Sequence, residues 1–163
     1  MIVKTVRDNI FNTDVRHIVF AINKEGYNDV GFSGKVSSKI WPELSDFGCH
    51  EIGDVFSKEV DGRLFHALVC HSLKEGWPED QAETIRECFD KIPADGEVIA
   101  SVAIGTGLIG VVSGSDFRQI VCGMHDSNQE IILYTGYNLD EILDCYNEEK
   151  NNTKRKVRRN QSR

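Results

Sequence analysis

The chain has no C-x-x-C pair and no cysteine–histidine cluster. Its five cysteines (Cys49, Cys70, Cys88, Cys122, Cys145) are odd in number and widely spaced. That pattern excludes a zinc module and argues against a disulfide framework. Buried free thiols in a reducing compartment are the reading that remains, and no metal or cofactor is expected. No apolar run approaches the ~20 residues that a membrane-spanning helix needs. The opening residues Met1-Ile2-Val3-Lys4-Thr5 lack the basic and apolar stretches of a secretory signal, so a cytoplasmic location is expected. No internal repeat is visible. A chain of 163 residues is long enough to bury a core as one domain.

Charge is unevenly spread. From Asn151 to Arg163 there are six basic residues (Lys154, Arg155, Lys156, Arg158, Arg159, Arg163) and no acidic one. Residues 1–150 carry 13 basic and 26 acidic side chains, a net of −13. So acidic a body is a poor general platform for a nucleic-acid backbone. Residues 148–163 read as a solvated, disordered tail after a domain of residues 1–147. A contact of that tail with nucleic acid or an acidic partner is the alternative.

Ile2 to Val6 reads as a first strand. The run Arg16 to Ile22 is nearly continuously apolar, as in a strand buried on both faces. A short helix is expected over Lys35 to Ile40, stopped near Trp41-Pro42. Glu51 to Val60 and Arg63 to Cys70 form a hairpin closed by Asp61-Gly62, a favoured two-residue turn. Glu79 to Lys91 is an amphipathic helix with Pro78 at its start and Ala82, Ile85, Cys88, Phe89 and Ile92 on one stripe. A strand over Val98 to Ala103, a helix over Ser115 to Met124, a strand over Glu130 to Tyr134 and a helix over Leu139 to Tyr146 follow. Strands alternating with helices predict a three-layer α/β/α domain with a mixed, largely parallel sheet.

The segment Ile104-Gly105-Thr106-Gly107-Leu108-Ile109-Gly110 carries G-x-G-x-x-G directly after a strand. Glycines at that spacing leave backbone N–H groups open to a phosphate at close range. A dinucleotide-binding Rossmann loop would lead straight into a helix, early in the chain, with an acidic residue about 20 positions on. Here the loop lies late. Val111-Val112-Ser113-Gly114 delays the helix, and Asp126 falls before the next strand and not at its end. That reading loses weight; a plain structural turn would not need three glycines.

With these residues in place the sequence resembles the macro-domain family, which binds ADP-ribose. The glycine segment followed by helix and Ile131-Ile132-Leu133-Tyr134 is similar to that family's phosphate loop and closing strand. Asp8-Asn9-Ile10-Phe11, Asp14-Val15 and Phe20-Ala21-Ile22-Asn23 match its opening. The hairpin Gly53-Asp54-Val55, Asp61-Gly62-Arg63 and Leu68-Val69-Cys70-His71 looks most like the branch of terminal ADP-ribose protein glycohydrolases and the antitoxins that remove ADP-ribose from DNA. The resemblance spans roughly residues 1–137.

It implies that Asn9 and Ile10 meet the adenine edge and that Asn23 lies beside the distal ribose. Val30, Gly31 and Phe32 would form the first phosphate-side loop, and Gly105, Thr106, Gly107, Leu108, Ile109 and Gly110 the second. Tyr134 would stack on adenine. The branch's attacking lysine reads His71 here, with Lys74 three residues later, and its acidic position reads Ile109. A histidine can serve as a base but forms no lysine-type imine, and isoleucine does neither job. Asp29, beside a pyrophosphate, would repel it unless it points away or binds a cation.

His66 and His71 are five apart and face opposite sides of one strand. Asp8 and Asp14 read as turn residues, Trp41 and Trp77 as packing residues, and Asn23 as either a ribose contact or a turn cap. The expected function is therefore binding of ADP-ribose or a related NAD-derived nucleotide, as a reader or sequestering module. The alternative is a hydrolase that removes ADP-ribose from protein or nucleic acid, or phosphate from ADP-ribose 1″-phosphate, with Asn23 and His71 as its working pair. A third reading is a protein-interaction scaffold on the same fold.

Overall fold

The computed structural model describes residues 1–28, 31–46, 48, 50–105 and 114–162, with the backbone alone at 45 and 46. Six strands, β1 (Ile2–Val6), β2 (His17–Asn23), β3 (Val55–Val60), β4 (Arg63–His71), β5 (Ile99–Val102) and β6 (Ile131–Tyr134), form one sheet in the order β1-β6-β5-β2-β4-β3. All neighbours are parallel except the antiparallel β3–β4 hairpin at one edge. The hairpin turns at Asp61 and Gly62, both with positive φ (51° and 79°), the geometry a two-residue turn requires.

The helices α1 (Gly31–Lys39), α2 (Gln81–Asp90), α3 (Gly114–Asp126) and α4 (Leu139–Gln161) make the two outer layers. Ile18, Phe20 and Ile22 point to the α1 face, where Val36, Trp41 and Leu44 close the core. Val19 points the other way, to Ile85, Phe89, Ile120, Met124 and Ile142 from the remaining helices. The apolar run of β2 is thus buried on both faces, as a central strand must be. This is the three-layer α/β/α arrangement with a mixed, largely parallel sheet.

Two elements differ from expectation. Helix α1 begins at Gly31 and not at Lys35. Glycines 31 and 34 are weak helix formers, but the Phe32 ring stacks on Phe11 at 5.0 Å and tilts onto Phe20 at 5.6 Å. Tertiary packing overrides propensity there.

The second difference is at the other end. The helix expected over Leu139 to Tyr146 runs as α4 to Gln161. No glycine or proline interrupts the chain from Leu139 to Gln161. Asn138 caps the start, accepting from the Glu141 N–H while the Glu141 carboxylate accepts from the Asn138 N–H. Basic residues in the last turns complement the negative end of the helix dipole. Asn138→Ala is expected to lower stability by about 1 kcal/mol in denaturant unfolding.

At the N-terminal end of β2 a polar chain crosses the sheet, its two histidines buried and its ends at Ser57 and Glu97 exposed. Ser57 Oγ lies 2.6 Å from His66 Nδ1, His66 Nε2 lies 2.9 Å from His17 Nδ1, and His17 Nε2 lies 2.7 Å from Glu97. One tautomer set satisfies every link. Ser57 donates to His66, His66 to His17, and His17 to the ionised carboxylate of Glu97.

Candidate functional site

In an open sheet of this kind a ligand crevice forms at the carboxyl ends of the strands, where successive connections leave in opposite directions. That point lies between β2 and β5. From β2 the chain passes over α1 on one face toward β4, and from β5 it passes over α3 on the other face toward β6. Two connections therefore leave the carboxyl ends of adjacent strands, described over residues 24–28 after β2 and residues 103–105 after β5. The second is the glycine segment. Of it, Gly105 is described, with a positive φ of 81°, and Ile104 is buried in the core just before it. Thr106, Gly107, Leu108, Ile109 and Gly110 lie outside the described residues, as do Asp29 and Val30 of the first connection.

Other candidate residues stand at the same carboxyl ends of the strands. Asn9 follows β1 and caps a 3₁₀ turn, its side-chain oxygen accepting from the Phe11 N–H at 3.0 Å. Asp8 accepts from the Asn9 N–H at 2.7 Å, a turn role. Ile10 is buried against the α1-side core, onto which Tyr134, at the end of β6, also packs. Tyr134 aligns with Val6 on one side and Val102 on the other. Gly31 and Phe32 stand in the first turn of α1, a correction to their placement in a loop, because the phenylalanine contacts above extend the helix toward its N-terminus.

Asn23 and His71 are register partners at the ends of β2 and β4. The Asn23 side chain is engaged on both sides by the following turn: its nitrogen donates to the Tyr27 carbonyl at 2.7 Å and its oxygen accepts from the Tyr27 N–H at 3.0 Å. Of its two readings, turn capping is the one the geometry displays. His71 stacks on Trp77 at 5.0 Å, and its Nδ1 has no hydrogen-bond partner among the described residues. Burial pushes its pKa below the usual histidine range, partly offset by Glu25. His71 is thus a neutral imidazole at pH 7, with its Nδ1 buried.

Sequence reading missed Glu25. Its carboxylate accepts from the Ser72 hydroxyl, from the Leu73 N–H at 2.8 Å and from the Lys74 N–H at 3.4 Å. The Ser72 bond is the main reason its pKa falls to about 2, with the two backbone bonds adding to it. This clasp ties the connection after β2 to the turn after β4. Its partners lie more than 45 residues away in sequence, and nothing local marks the residue. Asp126, the residue a Rossmann loop would place on a ribose, instead pairs with Lys150 at 2.5 Å and accepts from the Tyr146 hydroxyl at 2.8 Å. A separate hollow of about 390 Å³ lies at the opposite strand ends, lined by Asp14, Val15, Arg16, Glu97 and Val98. Among the described residues no metal-binding cluster occurs.

The fold that these elements define is that of a macrodomain. An Oceanobacillus iheyensis macrodomain mutant with ADPR superposes with a TM-score of 0.62 at 16% identity, over 91% of each chain. Thermosipho africanus DarTG in complex with ADP-ribose superposes with a TM-score of 0.62 at 14% identity, over 80% of this chain and 40% of that one. An alphavirus P23pro-zbd structure matches with a TM-score of 0.59 at 14% identity, this chain covering 21% of its length. No protein-family model and no curated protein matches the sequence.

Proposed function

We propose that the chain binds ADP-ribose or a related NAD-derived nucleotide as a reader or sequestering module. The observation that carries this reading is that the sequence segments following β2 and β5, the second glycine-rich, leave adjacent strands at the point where the connections diverge to opposite faces. Backbone N–H groups at such a point suit a pyrophosphate. Tyr134, half-buried at the end of β6 on the core that holds Ile10, offers an aromatic ring suited to a base. Structures of the same fold hold ADPR or ADP-ribose. The roles of Asn9, Val30 and residues Thr106 to Gly110 in contacting the nucleotide belong to this proposal, as does its extension to the branch with DNA or protein substrates.

Titration calorimetry with ADP-ribose tests it. Saturable one-site heat is expected. Tyr134→Ala should weaken affinity about tenfold or more, since a base stacked on an aromatic ring is worth ~1–3 kcal/mol. Absence of heat with ADP-ribose and with related NAD-derived nucleotides would overturn the reading.

A hydrolytic reading is favoured by one observation, the unpartnered Nδ1 of His71. A neutral imidazole there can take a proton from water or a ribose hydroxyl. Against it, the Asn23 amide is already committed to the Tyr27 turn. ADP-ribosylated protein, ADP-ribosylated DNA and ADP-ribose 1″-phosphate left unchanged by stoichiometric protein would exclude turnover.

A further inference from the structure

The most strongly charged feature outside the crevice is the C-terminal half of α4. Every residue from 151 to 162 is exposed, so this stretch packs on no other element. Lys154, Arg155, Arg158 and Arg159 fall on one side of the helix, within an arc of roughly 140° at 3.6 residues per turn. Lys154 and Arg158, and Arg155 and Arg159, are i,i+4 pairs of like charge, which destabilise a free helix. On the same helix Glu148 pairs with Arg118 at 3.2 Å, and Lys150, the last cation before the stretch, pairs with Asp126.

A row of repelling cations on an unpacked helix is relieved by a dense array of anions. Duplex DNA presents one phosphate per ~1.7 Å of its axis. A membrane surface fits poorly, because an interfacial helix needs an apolar face and this stretch offers Val157 alone. The acidic body of a second copy fits less well than phosphate. Some of its carboxylates are already held in ion pairs, such as Glu97 with Arg16, Glu43 with Lys58 and Asp90 with Arg86, whereas the phosphates of a duplex carry only exchangeable counterions.

We propose that the C-terminal half of α4 is a docking surface for the sugar–phosphate backbone of duplex DNA, read without regard to base sequence. The acidic remainder of the chain restricts contact to this helix. The number of phosphates engaged is therefore small, about four, and affinity depends steeply on salt. This inference is independent of the nucleotide reading, since α4 beyond Asn151 takes no part in the crevice.

The experiment is fluorescence anisotropy of the full chain with a labelled duplex of about 20 base pairs, at salt concentrations from about 50 to about 200 mM. Affinity should fall about a hundredfold across that range, a log–log slope near −3.6 for four phosphates. Arg158→Gln should reduce the slope by about 1. Joint replacement of Lys154, Arg155, Arg158 and Arg159 by glutamine should abolish binding while ADP-ribose titration and thermal unfolding stay unchanged. No binding at the lowest salt, a flat salt dependence, or undiminished binding by the fourfold variant would overturn the proposal. So would a salt-sensitive dimer seen by sedimentation, lost in that variant, without duplex binding. Equal or tighter binding to anionic vesicles than to duplex would overturn it as well.

Discussion

Between about pH 7 and about pH 4 the folded state is expected to lose about 3 kcal/mol through His66 alone. The ring is fully buried, and burial, reinforced by His17 beside it, lowers its pKa to about 4. In the unfolded chain the same group titrates at the ordinary value of about 6.5. A depressed histidine is neutral when folded, so the unfolded state takes up the proton first. The stability is present in full above the unfolded value and is lost progressively as pH falls toward the folded one.

Urea unfolding followed across this range should show that decline. His50, His71 and His125, also lowered chiefly by burial, add to it in the same direction. His66→Gln isolates the contribution: the variant keeps hydrogen-bonding capacity toward Ser57 and His17 but cannot titrate, so its pH profile should flatten. A wild-type profile no steeper than that of the variant would refute the assignment.

Gly123→Ala is expected to destabilise the protein by about 3 kcal/mol, the upper part of the range for overpacking. Gly123 lies inside α3, where glycine ordinarily costs about 1 kcal/mol relative to alanine. At an open helical site the substitution would therefore stabilise. Here a Cβ would stand 2.5 Å from the Ala82 carbonyl oxygen and 2.6 Å from the Ile85 Cβ. Both belong to the body of α2, so no flexible side-chain end can move aside. Helices α2 and α3 must separate instead, opening the core that Ile85, Phe89, Ile120 and Met124 share. A thermal midpoint lower by roughly 10 °C is the expected reading for a chain of this size. An unchanged or raised midpoint would show that the two helices are not in such close contact.

Much of this architecture is legible in the residues. The apolar run of β2, the Asp61-Gly62 turn and the stripe on α2 each follow from local patterning, because burial on two faces, positive φ and helical spacing leave direct marks on sequence. The start of α1 leaves no such mark: Gly31 to Gly34 reads as a loop, and it takes the aromatic contacts of Phe32 to make it helical. The length of α4 is missed for the opposite reason. Its polar, charged composition reads as a solvated tail, whereas strong capping and an uninterrupted run of helix-compatible residues continue the helix without any core to bury.

The candidate site divides in the same way. Asn9, Asn23, Tyr134 and the glycine segment stand at the ends of predicted strands, and a strand end is a local property. Which of those ends meet is decided by strand order, and strand order is set by contacts between residues far apart in the chain. Only the tertiary structure puts Asn23 opposite His71, spends the Asn23 amide on Tyr27, and draws Glu25 across to the turn at Ser72. The sequence by itself determined the elements, the glycine loop and the uneven charge. The fold decided which side chains remain available to a ligand, because hydrogen-bond partners are chosen by proximity in space and carry no signature along the chain.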